Sequence, residues 1–180
     1  MPADIALSPV VATFARSGFR KTAMEDVAAA LGISRQGLYN RFGSKQALFD
    51  WAAKALVDDS LRGALACLDD PAAPLPVRIA RALDAWVGCH MAMMRAAPCG
   101  GEIIAMASPA PGEAARAAER KLVAGMAAAI RLGGPGAAVP RAGSIAQALC
   151  WTARGLVHGA PDHAAFRREM ESIVALALTR

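Results

Sequence analysis

The chain has 180 residues and is 55% apolar, with 20 basic and 15 acidic side chains that give a formal net charge of +5. This length and apolar fraction allow one compact domain, or a small head with a larger body, and they exclude a disordered chain. No stretch approaches the length of a membrane-spanning apolar segment, and the N-terminus lacks a basic region followed by an apolar one. A transmembrane helix and a signal peptide are therefore not predicted, and we expect a cytoplasmic protein.

The first predicted helix covers residues 4–17 and ends at Gly18, which can adopt the positive φ of a helix C-terminus. Its inward face carries Ile5, Val10, Val11 and Phe14. Pro9 lies inside this pattern, so the helix is expected to begin there, with Ser8 as its N-cap.

Residues 22–45 predict two short helices joined by a tight turn. Thr22 and Glu25 have the spacing of a capping box, so the first helix is expected to begin at Ala23. Gly32 can end that helix with a positive φ, and Ser34 is a good N-cap for the next one. Since only about three residues separate the two helices, the pattern is typical of a helix-turn-helix.

The second helix of this pair turns hydrogen-bonding groups outward. Leu38 and Phe42 lie four residues apart and are expected to face the core. The outward side chains are Arg35, Gln36, Tyr39, Asn40 and Arg41. Arginine can bridge the two acceptors of guanine, and glutamine or asparagine can pair with adenine, so Arg35, Gln36 and Asn40 are predicted to contact DNA base edges. The alternative is that this polar face is simply solvated.

Phosphate contacts are predicted for a second set of residues, whose hydroxyl, guanidinium and ammonium groups suit phosphate oxygens. The set is Thr22, Ser34, Tyr39, Arg41 and Lys45. Ser44 would cap a helix whose open amides lie beside Lys45. Gly37 is expected to let the backbone approach the duplex closely, so that any side chain there would clash with DNA.

The stretch closely resembles the DNA-binding domain of the TetR/AcrR family of one-component transcriptional regulators, over roughly residues 5–55. The matching residues are Thr22, Val27, Ala28, Leu31, Gly32, Ile33, Ser34, Gly37, Leu38, Tyr39, Phe42, Lys45 and Leu48. Two residues depart from the family pattern, because Arg41 stands where histidine is commonest and Leu31 where alanine is. The resemblance implies a regulator, most often a repressor, with a DNA-binding domain in residues 1–50 and a helical ligand-binding and dimerisation domain in residues 51–180.

The distribution of charge agrees with a head that faces DNA. From Arg16 to Lys54 there are seven basic and three acidic residues, which gives +4 over 39 residues, against +5 for the whole chain. A phosphate-facing surface requires such an excess. A solvated face with surplus arginine is the alternative.

Beyond the motif the sequence predicts helices and shows neither strand alternation nor a two-residue hairpin signal. A longer helix begins at Ser44, and residues 69–76, with three prolines, form the first clear break. Four further helical patterns cover residues 76–96, 110–132, 141–158 and 163–179, with a short turn of helix at 102–107. The predicted fold is therefore all-α, with about nine helices, arranged as an N-terminal three-helix head and a C-terminal helical body.

The last two predicted helices carry more apolar side chains than one buried stripe requires. These side chains are Ile145, Leu149, Trp151, Leu156, Val157, Phe166, Met170, Ile173, Val174, Ala177 and Leu178. The resemblance implies that two such helices from each subunit form a four-helix bundle, which places two heads on successive turns of the major groove. We therefore predict a homodimer through residues 141–180 on a palindromic double-stranded DNA operator. Alternatively, these helices complete the core of the monomer.

A second predicted site is an adaptable apolar pocket for a small-molecule effector, which the resemblance places in the body. Flexible methionines and aromatic side chains suit such a pocket. The candidate residues are Trp86, Cys89, His90, Met93, Met94, Met106 and Trp151. Ordinary core packing is the alternative for each of them.

The sequence predicts no cofactor, metal site or enzymatic activity. Cys89 and His90 are adjacent and would point about 100° apart on a helix, which does not make a ready metal site. None of the four cysteines, Cys67, Cys89, Cys99 and Cys150, forms a CxxC pair, so buried thiols are expected. Cys99 is nevertheless the best placed for a thiol-responsive regulator, and a helical dimer with a vestigial head is a further alternative. No catalytic constellation is recognisable.

Overall fold

The computed structural model of the chain describes residues 5–96, 109–136 and 139–178. These residues form α-helices and two short 3-10 turns, with no β-strand among them, in agreement with the expected all-α fold of about nine helices. The helices are α1 (Leu7–Lys21), α2 (Met24–Leu31), α3 (Arg35–Phe42), α4 (Lys45–Leu68), α5 (Leu75–Trp86), α6 (Met91–Ala96), α7 (Pro109–Gly133), α8 (Ala142–Gly159) and α9 (His163–Ala177). No helix in these ranges is both long and apolar enough to cross a membrane.

The chain divides into two compact units. The first contains the described residues up to 57 together with 93–96 and 109–115, and the second contains 58–92, 116–136 and 139–178. The long helix α4 contributes residues to both units.

The core of the first unit is built on three phenylalanines from α1 and α4. The rings of Phe14 and Phe49 meet edge to face with centroids 5.1 Å apart, and Phe19 meets Phe49 at the same distance. Phe14 and Phe49 are buried, together with Leu38 from α3 and Leu48 from α4. Because burying each such side chain contributes about 1.5–3 kcal/mol, this cluster fixes α3 on its support.

Helix α1 differs from the expectation at its start. It begins at Leu7 with Ala6 as N-cap, so the predicted start at a Ser8 cap is wrong; Pro9 is tolerated because the first turn needs no N–H from it. Near the other end, Gly18 adopts φ +73° and interrupts the helix, as predicted.

The region predicted as one helix over 76–96 is divided into α5 and α6 by a 3-10 turn at Gly88–His90. Gly88 is buried, and a Cβ atom there would clash with Asp84 and with the ring of Phe166 on α9. The close contact of α9 with this turn therefore requires glycine. The helical turn expected at 102–107 lies outside the described residues.

The second unit is held together by α5 packed against α8 and α9. Ile79, Leu83 and Phe166 are fully buried between these helices and their neighbours. A polar contact adds to this packing, because His163 Nε2 on α9 lies 2.6 Å from the carboxylate of Asp84 on α5.

Candidate nucleic-acid interface

Helices α2 and α3 form the predicted helix-turn-helix. Gly32 ends α2 in the left-handed conformation, with φ +67° and ψ 27°. Ser34 then caps α3, since its Oγ accepts a hydrogen bond of 3.0 Å from the Gly37 N–H. Gly32 and Ser34 therefore have the roles predicted from the sequence, as the end of α2 and the N-cap of α3.

The start of α2 is not capped as the sequence suggested. Asp26, rather than Glu25, accepts a 2.9 Å hydrogen bond from the N–H of Ala23, the N-cap residue. The buried hydroxyl of Thr22 donates instead to the carbonyl of Gly18, at 2.7 Å. The predicted Thr22–Glu25 capping box is wrong, because the break of α1 at Gly18 leaves a carbonyl that takes the threonine hydroxyl.

Helix α3 rests on the head by one face and exposes the other. Leu38 is completely buried, and the ring of Phe42 lies 5.2 Å from that of Trp51 on α4. The exposed side chains of α3 are Arg35, Gln36, Asn40 and Arg41, with Tyr39 half-buried among them. The three residues predicted to read bases thus share an exposed surface.

Arg35 is held in place by residues on both helices of the motif. Its Nη1 atom lies 2.7 Å from Oε1 of Glu25 on α2, and its guanidinium lies 5.3 Å from the ring centre of Tyr39. The pKa of Arg35 is raised, first by a hydrogen bond with the Tyr39 side chain and then by the charge of Glu25. Since Arg35 and Glu25 are both largely exposed, this arrangement can exchange with a ligand at small cost.

Gln36 and Asn40 are paired with each other. The Gln36 side-chain amide donates to the Asn40 side-chain carbonyl at 2.8 Å, one helical turn along α3. Each side chain keeps further donor and acceptor positions for a base edge. Beside them, a Cβ added at Gly37 would meet only Ser34 Oγ, at 3.1 Å, so the surface of α3 is open at that position.

Two residues predicted to contact phosphates have partners within the head. Lys45 Nζ donates to the carbonyls of Thr22, at 3.1 Å, and Arg20, at 3.3 Å, and lies 4.7 Å from the ring centre of Phe19. The side chain of Thr22 is buried, so the phosphate contact assigned to its hydroxyl does not fit the structure. Ser34 and Arg41 are exposed and Tyr39 is half-buried, so the phosphate contacts of these three residues stay predictions.

The sequence did not reveal Glu25 as the partner of Arg35. The two residues lie on different helices, and no helical periodicity spans the turn between them. The available signal was the pair of adjacent acidic residues, Glu25 and Asp26, in a motif whose other charged residues are basic.

The candidate effector residues that the structure describes belong to both units. Trp86 is buried in the second unit, whereas Met93 packs against the core of the first unit. Trp151 is 64% exposed on α8, and its assignment to the effector pocket stays a prediction. Met94 lies in α6, and Met106 falls outside the described residues.

His90 occupies a partly buried polar site in the second unit. Its Nε2 lies 2.8 Å from Oγ of Ser60 on α4. Burial lowers the pKa of His90, with a smaller opposing effect of the nearby Asp59 carboxylate. His90 is therefore expected to be neutral near pH 7.

The described cysteines are poor nucleophiles. Burial raises the pKa of Cys89 to about 11 and that of Cys150 to about 12, and it also raises the pKa of Cys67. Cys89 is exposed as a residue, contrary to the expectation of buried thiols, but its Sγ is half-buried and donates to the carbonyl of Ala85 at 3.4 Å. Cys99 lies outside the described residues. Within those residues, no three His, Cys, Asp or Glu side chains are grouped as a metal site would require.

The last two helices carry an exposed apolar surface, here called the C-terminal face. It contains a groove of about 210 Å³ lined by Arg141, Ile145, Ala148, Leu149, Thr152, Ile173 and Ala177. Trp151 and Leu176, which are 64% and 75% exposed, lie on the same two helices. Large exposed apolar side chains beside an apolar groove are typical of an interaction surface.

Comparison with known proteins agrees with the helix-turn-helix and with the fold. Residues 11–51 match the family model of bacterial regulatory proteins of the tetR family. A transcriptional regulator from Rhodococcus sp. RHA1 superposes with a TM-score of 0.69 at 22% identity, over 96% of this chain and 93% of that one. A TetR regulator from Legionella pneumophila gives a TM-score of 0.73 at 14% identity, over 96% and 95% of the two chains. The TetR-family regulator PfmR from Thermus thermophilus gives 0.63 at 17% identity, over 96% of each.

At these identities the structural likeness shows the fold, while the family model covers the DNA-binding part. No curated protein sequence matches the chain. Residues 11–51 thus match the DNA-binding domain of the tetR family, and the fold of the described residues is similar to that of solved TetR-family regulators.

Proposed function

We propose that this DNA-binding regulator is a homodimeric repressor that recognises a palindromic operator and is released by a small-molecule effector. The observation that carries the proposal is the exposed surface of α3, where Arg35, Gln36 and Asn40 present hydrogen-bonding groups on one side of a helix fixed by Leu38. A helix of this kind can enter the major groove and read base edges.

Dimerisation is proposed through the C-terminal face. A single α3 helix reaches too few base pairs for strong selection, and a two-fold dimer doubles the contacts on a palindrome. The exposed Trp151 and Leu176 support this surface as the interface, because aromatic side chains commonly dominate interface energies. Truncating an interface tryptophan costs about 2 kcal/mol or more, and in a two-fold interface the loss occurs twice, so the dimer would weaken roughly a thousandfold.

The effector response is proposed as a shift between two dimer arrangements, one favoured by the operator and one by the effector. Each ligand then weakens the binding of the other, typically by about 1–3 kcal/mol. The unbroken helix α4 supports this proposal, because it contributes residues both to the unit with the DNA-binding helices and to the second unit.

The test combines operator selection with a mass measurement. The full-length protein is used to select sites from random duplex DNA, and its mass is determined by light scattering at micromolar concentration. The proposal requires a dimer and a palindromic consensus. A monomer, or binding without sequence preference, would contradict it.

A matched pair of variants tests the interface. Trp151→Ser is expected to yield monomers and to lose operator affinity, because it removes the largest apolar side chain exposed on the C-terminal face. The control is Leu132→Ser, which also removes an exposed apolar side chain, 91% accessible at the end of α7, but is expected to leave the dimer intact. Dimers in both variants would place the interface elsewhere.

A further inference from the structure

We propose that Glu25 determines the base specificity of Arg35 by keeping its guanidinium on the base-reading surface and away from phosphates. The inference rests on the function proposed above and assigns a specificity role to a residue of α2. Glu25 lies in the first turn of α2, and Arg35 is the first residue of α3. Their 2.7 Å ion pair therefore crosses the turn of the helix-turn-helix.

The contacts around Arg35 restrict its guanidinium without using all of its donors. Glu25 binds Nη1, and the ring of Tyr39 lies 5.3 Å from the guanidinium carbon. Arginine has five N–H donors in one rigid plane, and a bidentate contact with guanine uses two of them. Arg35 can thus contact a base while it keeps Glu25, and its side chain is already ordered before DNA arrives.

The negative charge of Glu25 makes the competing contact unfavourable. If Arg35 turned to a phosphate, the carboxylate of Glu25 would be left unpaired on a surface that faces the anionic duplex. The pair itself is weak in water, because its side chains are 61% and 53% exposed. The pair therefore acts on the difference in free energy between two modes of DNA binding, one with Arg35 on a base edge and one with Arg35 on a phosphate. Repulsion between the unpaired Glu25 carboxylate and the DNA disfavours the second, non-specific mode.

The test uses the full-length protein and an operator selected from random duplexes. Arg35→Ala first identifies the base pair that Arg35 reads, as the position where preference disappears. Glu25→Gln is then measured by fluorescence anisotropy, over a series of salt concentrations, on the operator and on a duplex altered at that base pair. We expect the affinity ratio of the two duplexes to fall about two- to fivefold. The salt slope on the altered duplex should steepen by about 0.9, the value for one additional phosphate contact.

Asp26→Asn is the matched control. Asp26 is the exposed carboxylate next to Glu25, and asparagine retains an acceptor for the N–H of Ala23. This variant removes the same charge without touching the pair with Arg35. Its affinities for both duplexes should rise by the same factor, so that their ratio stays unchanged.

A double variant separates specificity from folding. Glu25→Gln should have no effect on the affinity ratio when Arg35 is already alanine, and circular dichroism should show equal folding in all variants. An unchanged ratio in Glu25→Gln, or an equal fall in Asp26→Asn, would overturn the inference alone. Failure of the wild-type protein to select any sequence would instead overturn the proposed function.

Discussion

Replacing Lys45 with alanine is expected to destabilise the head while leaving the salt dependence of DNA binding nearly unchanged. The ammonium group donates to the carbonyls of Arg20 and Thr22 and lies over the ring of Phe19. These carbonyls close α1 after its break at Gly18. Without Lys45 the last turn of α1 loses both its cationic partner and its link to α4.

The size of the effect follows from these contacts. Each hydrogen bond from a half-exposed ammonium contributes about 0.5–1 kcal/mol, and the contact with the Phe19 ring contributes about 0.5–1 kcal/mol. Freeing the long side chain returns roughly 1 kcal/mol of conformational entropy. The net loss is then about 0.5–2 kcal/mol, which corresponds to a fall of about 1–8 °C in the melting temperature of a protein of this size.

Thermal melts followed by circular dichroism measure this loss, and native-state hydrogen exchange in α1 locates it. Lys21→Ala is the control, since it removes an exposed lysine from the last turn of the same helix. It should lower the melting temperature by less than Lys45→Ala does. If Lys45→Ala left the melting temperature unchanged and lowered the salt slope by about 0.9, Lys45 would be a phosphate contact after all.

Three further predictions concern other parts of the molecule. Gly37→Ala should change stability by no more than about 1 kcal/mol, because the better helix propensity of alanine is opposed by the 3.1 Å contact of the new methyl with Ser34 Oγ. It should weaken operator binding about tenfold or more if the backbone approaches DNA there, and melting and anisotropy measurements separate the two effects. Burial lowers the pKa of His90 in the folded protein. As the pH falls below the usual histidine pKa of about 6.5, the unfolded chain therefore binds more protons than the folded one, and the folded state loses stability. The urea midpoint should therefore decrease less between about pH 7.5 and about pH 5 in His90→Gln than in the wild type. Glutamine keeps a polar partner for Ser60 in this variant. Finally, the pKa of about 11 predicts that Cys89 reacts with thiol reagents at neutral pH at least about tenfold more slowly than free cysteine, because the smaller thiolate fraction outweighs the greater nucleophilicity of that thiolate; mass spectrometry would show the difference.

The helix-turn-helix was predictable because its determinants are local. Gly32 and Ser34 act within one turn of the chain, and Leu38 and Phe42 follow the helical period. The exposure of Arg35 follows from the same period. These features need no knowledge of what packs against the motif.

The partners of charged and aromatic side chains were not predictable, because they come from distant parts of the sequence. Lys45 binds carbonyls 23 and 25 residues away. Trp86 is buried and Trp151 exposed, although both occur in apolar helical patterns. Only the packing of α5 against α9, and the open surface of α8, distinguishes these two tryptophans.

The contrast between Lys45 and Arg35 shows what makes a cation available to DNA. A cation that leaves its partner for a phosphate exposes that partner, and the cost depends on whether water can replace the lost contact. Glu25 is half-exposed and is readily solvated, whereas the carbonyls held by Lys45 close a helix end beside the ring of Phe19. We therefore expect fewer phosphate contacts than the excess of +4 in the head suggests, and a smaller release of counterions on DNA binding than its basic residues would give.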